Sequence, residues 1–226
     1  DVNVGIDTIE LLSDVGYEVV VTKHEESGRS FISKGLLDKA KKVADFNIDH
    51  FKDLITRETP LVGIEPSTIL SFRDEYVRLA DDKEAAKKIA PYTYTLEEFF
   101  EKEIRKGKIT AASFTEDKKT LKVHGHCQQK SLSGTAPSFA MLNLPKNYKV
   151  TIMNTGCCGM AGSFGYEKEH YEFSMKVGED TLFPKIRNTD KSVGIAAAGT
   201  SCRHQIHDGT KRDADHPASI LRKALK

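Results

Sequence analysis

The sequence predicts an α/β fold built from a duplicated βα unit with mostly parallel sheets, and three observations carry that expectation. First, short β-branched or apolar runs at Tyr17–Val21, Leu61–Ile64 and Val193–Ala197 are separated by helix-length amphipathic stretches, the alternation that buries a parallel sheet under helices. Second, Tyr17-x-Val, Gly28 and Val62-Gly-Ile64 recur as Tyr148-x-Val, Gly159 and Val193-Gly-Ile195, one constant shift of 131 positions. Third, 226 residues with 38% hydrophobic and 30% charged side chains are enough for a substantial globular core.

The repeat is read as a pseudo-two-fold pair of Rossmann-like units. Residues 1–108 form the first, which lacks cysteine and ends in a connector helix, and residues 109–226 form the second, which holds all four cysteines. In order, Gly5–Gly16 reads as a helix and Tyr17–Val21 as a buried strand. After the loop 22–28, Ile32, Leu36, Leu37, Ala40 and Val43 form an apolar stripe that predicts a helix over 30–44. Leu61–Ile64 is the next strand, Glu65–Thr68 a loop, and a helix follows to about Ala80. Thr95 and Glu98 make a capping box that opens the connector helix, and Gly107 stops it. Thr110–Phe114 and Thr120–His124 flank a polar turn and read as a hairpin. Strand Tyr148–Met153, loop 154–159, helix Glu167–Phe183, strand Val193–Ala197 and loop Ala198–Ser201 complete the chain.

Charge narrows the function classes. The 34 basic and 33 acidic residues are interspersed, so there is no nucleic-acid footprint. No apolar run is long enough for a membrane span, and no signal peptide is recognisable. A soluble, cytoplasmic protein is expected, reaching the inner membrane face only through partners. The start at Asp1 without Met reads as a piece of a longer polypeptide.

The cysteines carry the chemistry. Cys127, the adjacent pair Cys157-Cys158, and Cys202 each follow a predicted strand, and loops at the carboxyl ends of parallel strands share one edge of a sheet. Four thiolates suit zinc or an iron–sulfur cluster. No Cys-x-x-Cys knuckle is present, as structural zinc sites usually have, and neighbouring cysteines reach two irons more easily than one ion. Gly156, Gly159 and Gly162 let the backbone wrap closely and free amides for sulfur. An iron–sulfur cluster on Cys127, Cys157, Cys158 and Cys202 is therefore expected, with zinc as the alternative. His124, His126, His204 and His207 sit beside these cysteines as outer hydrogen-bonding partners, direct ligation being the lesser alternative. No Gly-x-Gly-x-x-Gly turn after a strand offers a seat for flavin or nicotinamide, and no catalytic residue is assigned.

The segments His124-Gly-His-Cys-Gln-Gln-Lys130, Gly156-Cys-Cys-Gly-Met-Ala-Gly-Ser-Phe-Gly-Tyr166 and Gly199-Thr-Ser-Cys-Arg-His-Gln-Ile206 resemble the cysteine-rich CCG domain family. That family includes heterodisulfide reductase B subunits, glycolate oxidase iron–sulfur subunits and the C-terminal parts of fused FAD-linked oxidases, the last being the nearest likeness. The resemblance implies an electron-carrying domain of a larger oxidoreductase acting on a 2-hydroxy acid of the lactate or glycolate type. Its FAD would lie in a neighbouring flavin domain, with a ferredoxin-like domain between. Its rivals are a zinc-stabilised interaction module and a cluster domain that itself reduces a disulfide or quinone. The chain departs from the family pattern in places. Glu26-Ser27-Gly28 stands where Cys-Cys-Gly often stands, Thr68 stands near the expected partner of Cys202, and Gly199 replaces the first cysteine of Cys-x-x-Cys, so a fifth ligand is missing. Members with a full set can hold a non-cubane cluster; here the resemblance implies a four-thiolate [4Fe-4S] cubane instead. The first-half loop with Glu25, Glu26 and Arg29 then reads as a solvated remnant of a lost site, or alternatively as a docking surface.

Overall fold

The computed structural model describes residues 1–226. The chain is mixed α/β, with twelve α-helices and two short, wholly parallel sheets. It divides into two compact units, Val20–Thr95 on one side and Asp1–Val19 with Leu96–Lys226 on the other. These units do not follow the ranges 1–108 and 109–226: the connector helix packs inside the larger unit.

Helix α1 (Val2–Asp14) opens the larger unit, burying Thr8, Leu11 and Leu12. In the smaller unit, α2 (Arg29–Ser33) and α3 (Leu37–Phe51) stand where one helix over 30–44 is expected. Gly35, at φ 70°, breaks it, a left-handed conformation that glycine adopts without penalty. Helix α3 buries Ala40, Ala44, Ile48 and Phe51. Strand β1 (Leu61–Gly63) leads into α4 (Pro66–Ile69), so the expected loop 65–68 is largely a helical turn. Pro66 at its first position and Glu65, whose side chain accepts from Ser67 N at 3.3 Å, explain that start. After α5 (Glu75–Leu79) and α6 (Lys83–Ile89), strand β2 (Thr93–Thr95) pairs with β1 in parallel. The loop before α2 is held by its own unit: Tyr76 Oη donates to Ser27 O and Asn47 Nδ2 to Glu26 O, each at 3.0 Å, and Arg29 pairs with Glu75.

The larger unit resumes with α7 (Leu96–Arg105), β3 (Lys119–His124), α8 (Cys127–Leu132), α9 (Ala136–Leu142) and β4 (Tyr148–Ile152). It ends with α10 (Tyr171–Arg187), β5 (Gly194–Ala197), α11 (Thr200–Thr210) and α12 (Pro217–Arg222). The sheet order is β4-β3-β5, with Leu121 opposite Val150 on one side and Gly194 on the other. Central β3 buries Leu121, Val123 and His124. Helices α9 and α12 cover the sheet, α1 packs on α12, α7 on α9, and α10 on α11.

Two expectations are corrected here. Tyr17–Val21 is not a strand: no segment of the chain pairs with it, and Val20 and Val21 are exposed. β-branched composition alone does not make a strand without a ladder to enter. Nor do Thr110–Phe114 and Thr120–His124 form a hairpin. Ala111–Ser113 is a 3₁₀ turn, buried Phe114 bridges Leu225, and β3 instead joins β4 and β5 in parallel. Burying the aromatic ring at position 114 draws that segment to the C-terminus of the chain.

The residue that opens the failed strand has a different task. Tyr17 Oη donates to Glu103 Oε2 at 2.7 Å, and its ring meets Phe99 edge-on. Burial alone would raise the Glu103 carboxyl, but hydrogen bonds from Lys106 and Tyr17 outweigh it and hold the group below the ordinary glutamate range. A bond to a charged acceptor contributes about 1.5–3 kcal/mol. Tyr17→Phe is expected to lose about that much in urea denaturation at neutral pH. Because the folded value is depressed, the contribution is full above the unfolded glutamate range and fades as pH falls through the folded value. The gap between wild type and variant should therefore close on acidification; a gap that widens in acid would rule out the charged bond.

Candidate metal centre

Parallel register brings the ends of β3, β4 and β5 to one edge, Val123 beside Ile152 and His124 beside Ala197. Each strand then hands over a cysteine. After β3, His126 caps α8, its Nδ1 accepting from Gln128 N at 3.1 Å, and Cys127 is the first helical residue. After β5, Cys202 lies in the first turn of α11 and is only 1% exposed.

The loop after β4 carries Cys157 and Cys158 and is tied down from several sides. Lys130 Nζ donates to Thr155 O and Gly156 O at 3.0 and 3.1 Å, Lys185 Nζ bonds Asn154 O, and Gly156 N donates to Thr181 Oγ1 at 2.8 Å. Gly159 has a φ of 102°, and a Cβ there would lie 2.0 Å from the Ser174 carbonyl oxygen. Only glycine lets the loop lie this close to α10. Its amide donates to Cys157 Sγ at 3.2 Å, and the Met160 amide bonds Cys158.

All four cysteines are free, and neighbouring side chains influence one another's ionisation in order: Cys127 with Cys157, Cys157 with Cys158, Cys158 with Cys202, and Cys202 with His124. Cys157 is pulled down by hydrogen bonds from Cys127 and Cys158, and Cys202 by the bond from Cys158 and then His124. Cys127 is pushed up by its bond with Cys157, and Cys158 by its bonds with Cys157 and Cys202 and by burial. Adjacent sulfurs cannot all be ionised without a cation between them. Met153, Met160, Leu182, Ile195 and Ile206 pack with Cys158 and Cys202 into one core cluster that keeps water from the inner sulfurs.

His124 stands among them at 1% exposure. Its Nδ1 lies 2.7 Å from Thr155 Oγ1, while Nε2 is buried with no hydrogen bond of normal geometry. The ligand atoms of His124, Cys158 and Cys202 all lie within 4.8 Å of one another. An orphaned imidazole nitrogen beside soft sulfur donors fits a thiophilic metal or cluster and does not fit magnesium or calcium.

The predicted cysteines are thus brought together, and His126 lies close enough to favour the Cys202 thiolate. His204 is engaged elsewhere: its Nδ1 is 2.9 Å from Tyr166 Oη, and both line a groove of about 360 Å³ with Tyr171, His207 and Asp208. Thr155, Lys130, Thr181 and Ser174 escaped the sequence reading because they act by position; the polar run Asn154-Thr155 before the glycine was the one signal. No helix is long and apolar enough to cross a membrane.

No family model and no solved structure matches the chain. It is 28% identical over 218 residues to D-2-hydroxyglutarate dehydrogenase of Pseudomonas putida, covering 94% of this chain and 20% of that protein. It is 25% identical over 228 residues to D-2-hydroxyglutarate dehydrogenase of Escherichia coli, covering 100% of this chain and 21% of that protein. The C subunit of the anaerobic glycerol-3-phosphate dehydrogenase of Escherichia coli is 26% identical over 227 residues, a match that spans 98% of this chain and 55% of the relative. The chain therefore spans about a fifth of the length of the first two relatives and just over half of the third, and each is an oxidoreductase or a part of one.

Proposed function

We propose that this chain is the electron-carrying domain of a larger flavin-linked oxidoreductase, holding an iron–sulfur cluster of the [4Fe-4S] type on Cys127, Cys157, Cys158 and Cys202. The observation that carries the reading is the delivery of four free cysteines by three parallel strand ends to one sheet edge, where the Cys158, Cys202 and His124 ligand atoms lie within 4.8 Å of one another. A bound cluster supplies a one-electron carrier. The protein's part is to deliver four thiolates, to donate the Gly159 and Met160 amides to sulfur, and to keep the inner sulfurs under apolar cover, which together set potential. A flavin domain acting on a 2-hydroxy acid, with a ferredoxin-like domain, is the fitting partner, and any attachment to the inner membrane face would run through such partners. Likeness to part of the D-2-hydroxyglutarate dehydrogenases supports this assignment.

The duplicated Rossmann-like repeat belongs to the same reading. Gly28 and Gly159 both take positive φ, and each loop packs on the backbone of a helix that follows, at Ala40 and Ser174 respectively. The smaller unit has Glu26-Ser27 where the larger has Cys157-Cys158, and is expected to bind no metal.

The test is electron transfer without substrate chemistry. After anaerobic reconstitution with iron and sulfide, the chain is expected to accept electrons from a chemical donor yet give no turnover with lactate, glycolate or 2-hydroxyglutarate and an artificial acceptor, with or without FAD. Turnover of any of the three by this chain alone would overturn the carrier assignment.

A further inference from the structure

We propose that His124 is a fifth protein ligand of the metal centre, binding through Nε2 beside the sulfurs of Cys158 and Cys202 on an iron that one of these cysteines also holds; this rests on the metal centre proposed above.

Nε2 is the one ring atom of His124 left to account for. It is buried with no hydrogen bond of normal geometry, and the ring's other neighbour is Cys202, whose thiolate it favours; a metal bound between them would take the place of that interaction. The opposite nitrogen is engaged: Nδ1 is 2.7 Å from Thr155 Oγ1, and the Thr155 backbone amide is anchored to Met153 O at 2.9 Å. Metal binding through Nε2 would put the ring proton on Nδ1, where Thr155 Oγ1 can accept it, the arrangement by which metal-binding histidines are oriented. The three ligand atoms, all on buried residues and all within 4.8 Å of one another, can converge on one metal atom or on adjacent ones.

Other candidates for that donor are spoken for. His126 Nδ1 accepts from the Gln128 amide, and His204 Nδ1 meets Tyr166 Oη. At position 199, where a Cys-x-x-Cys pair would place another thiol, a Cβ would sit 2.5 Å from His126 Cδ2. A side chain there would require the His126 ring to move. His124 comes from the central strand to the same sulfur, Cys202, that such a thiol would have neighboured. Neutral imidazole added to four thiolates leaves the negative charge of the site unchanged, whereas a fifth thiolate at this position would increase it and disfavour the reduced state.

The chain labelled with ¹⁵N-histidine, reconstituted anaerobically with ferrous iron and sulfide and reduced with dithionite, is examined by pulsed EPR. A strong coupling from directly bound ¹⁵N is expected. It should persist in His126→Ala and vanish in His124→Cys, which should keep its iron through the new thiolate and show a lower midpoint potential. A reduced, iron-loaded wild type without bound nitrogen would overturn the ligand assignment and leave the metal centre standing. Failure to take up iron and sulfide at all would overturn both, so element analysis separates the two claims.

Discussion

Cys202→Ser is expected to lose most of the iron taken up on anaerobic reconstitution, with affinity falling at least about tenfold to a hundredfold. Even outer partners of a metal ligand are worth that much. Cys202 is 1% exposed and touches both Cys158 and His124, so its sulfur is placed for no other task than packing or ligation. Packing alone predicts a different result. A serine hydroxyl buried there costs about 1–3 kcal/mol of stability, visible as a shift in urea midpoint without metal, but would leave metal content in the folded fraction unchanged. The same loss is expected for Cys158→Ser, which is 3% exposed, and for exposed Cys127→Ser. Iron and sulfide at wild-type levels in all three folded variants would show the thiols to be inert.

Gly159→Ala is expected to be the most damaging single methyl in the chain. The new Cβ would lie 2.0 Å from the Ser174 carbonyl oxygen and 2.9 Å from its carbon, both backbone atoms that cannot swing aside. A left-handed conformation adds about 1–2 kcal/mol for a residue with a side chain, and overpacking about 1–3 kcal/mol, so a loss of about 2–5 kcal/mol is expected. The loop must move off α10 to relieve it, carrying away the amide that bonds Cys157 and the two cysteines before it. Metal uptake should fall with stability. Gly107→Ala separates the two causes, because Gly107 has a φ of 70° but nothing within 4 Å of its Cβ position. It should bear the conformational cost alone and retain full metal uptake.

The sequence was most legible where local pattern and tertiary role coincide. Leu61–Gly63, Tyr148–Ile152 and Gly194–Ala197 are strands within a residue of the apolar runs that announce them, and the cysteines follow strand ends as their spacing implies. Tyr17–Val21 misled because its β-branched content is real but no partner strand reaches it. Thr110–Phe114 misled because one buried ring, Phe114, is drawn to Leu225. The orphaned Nε2 of His124 was not legible at all: His124 and His126 flank the same glycine in the sequence, and only the fold sends one ring inward to Cys202 while the other caps α8. The same holds for Ser174, whose role at Gly159 depends on how close α10 approaches.

The most direct test of the central claim is element and acid-labile sulfide analysis of the wild-type chain, paired with an optical spectrum under anaerobic conditions. The account predicts iron and sulfide in equal amounts, with a broad visible absorption that bleaches on reduction. A colourless protein holding zinc, or one that retains no metal, would contradict it.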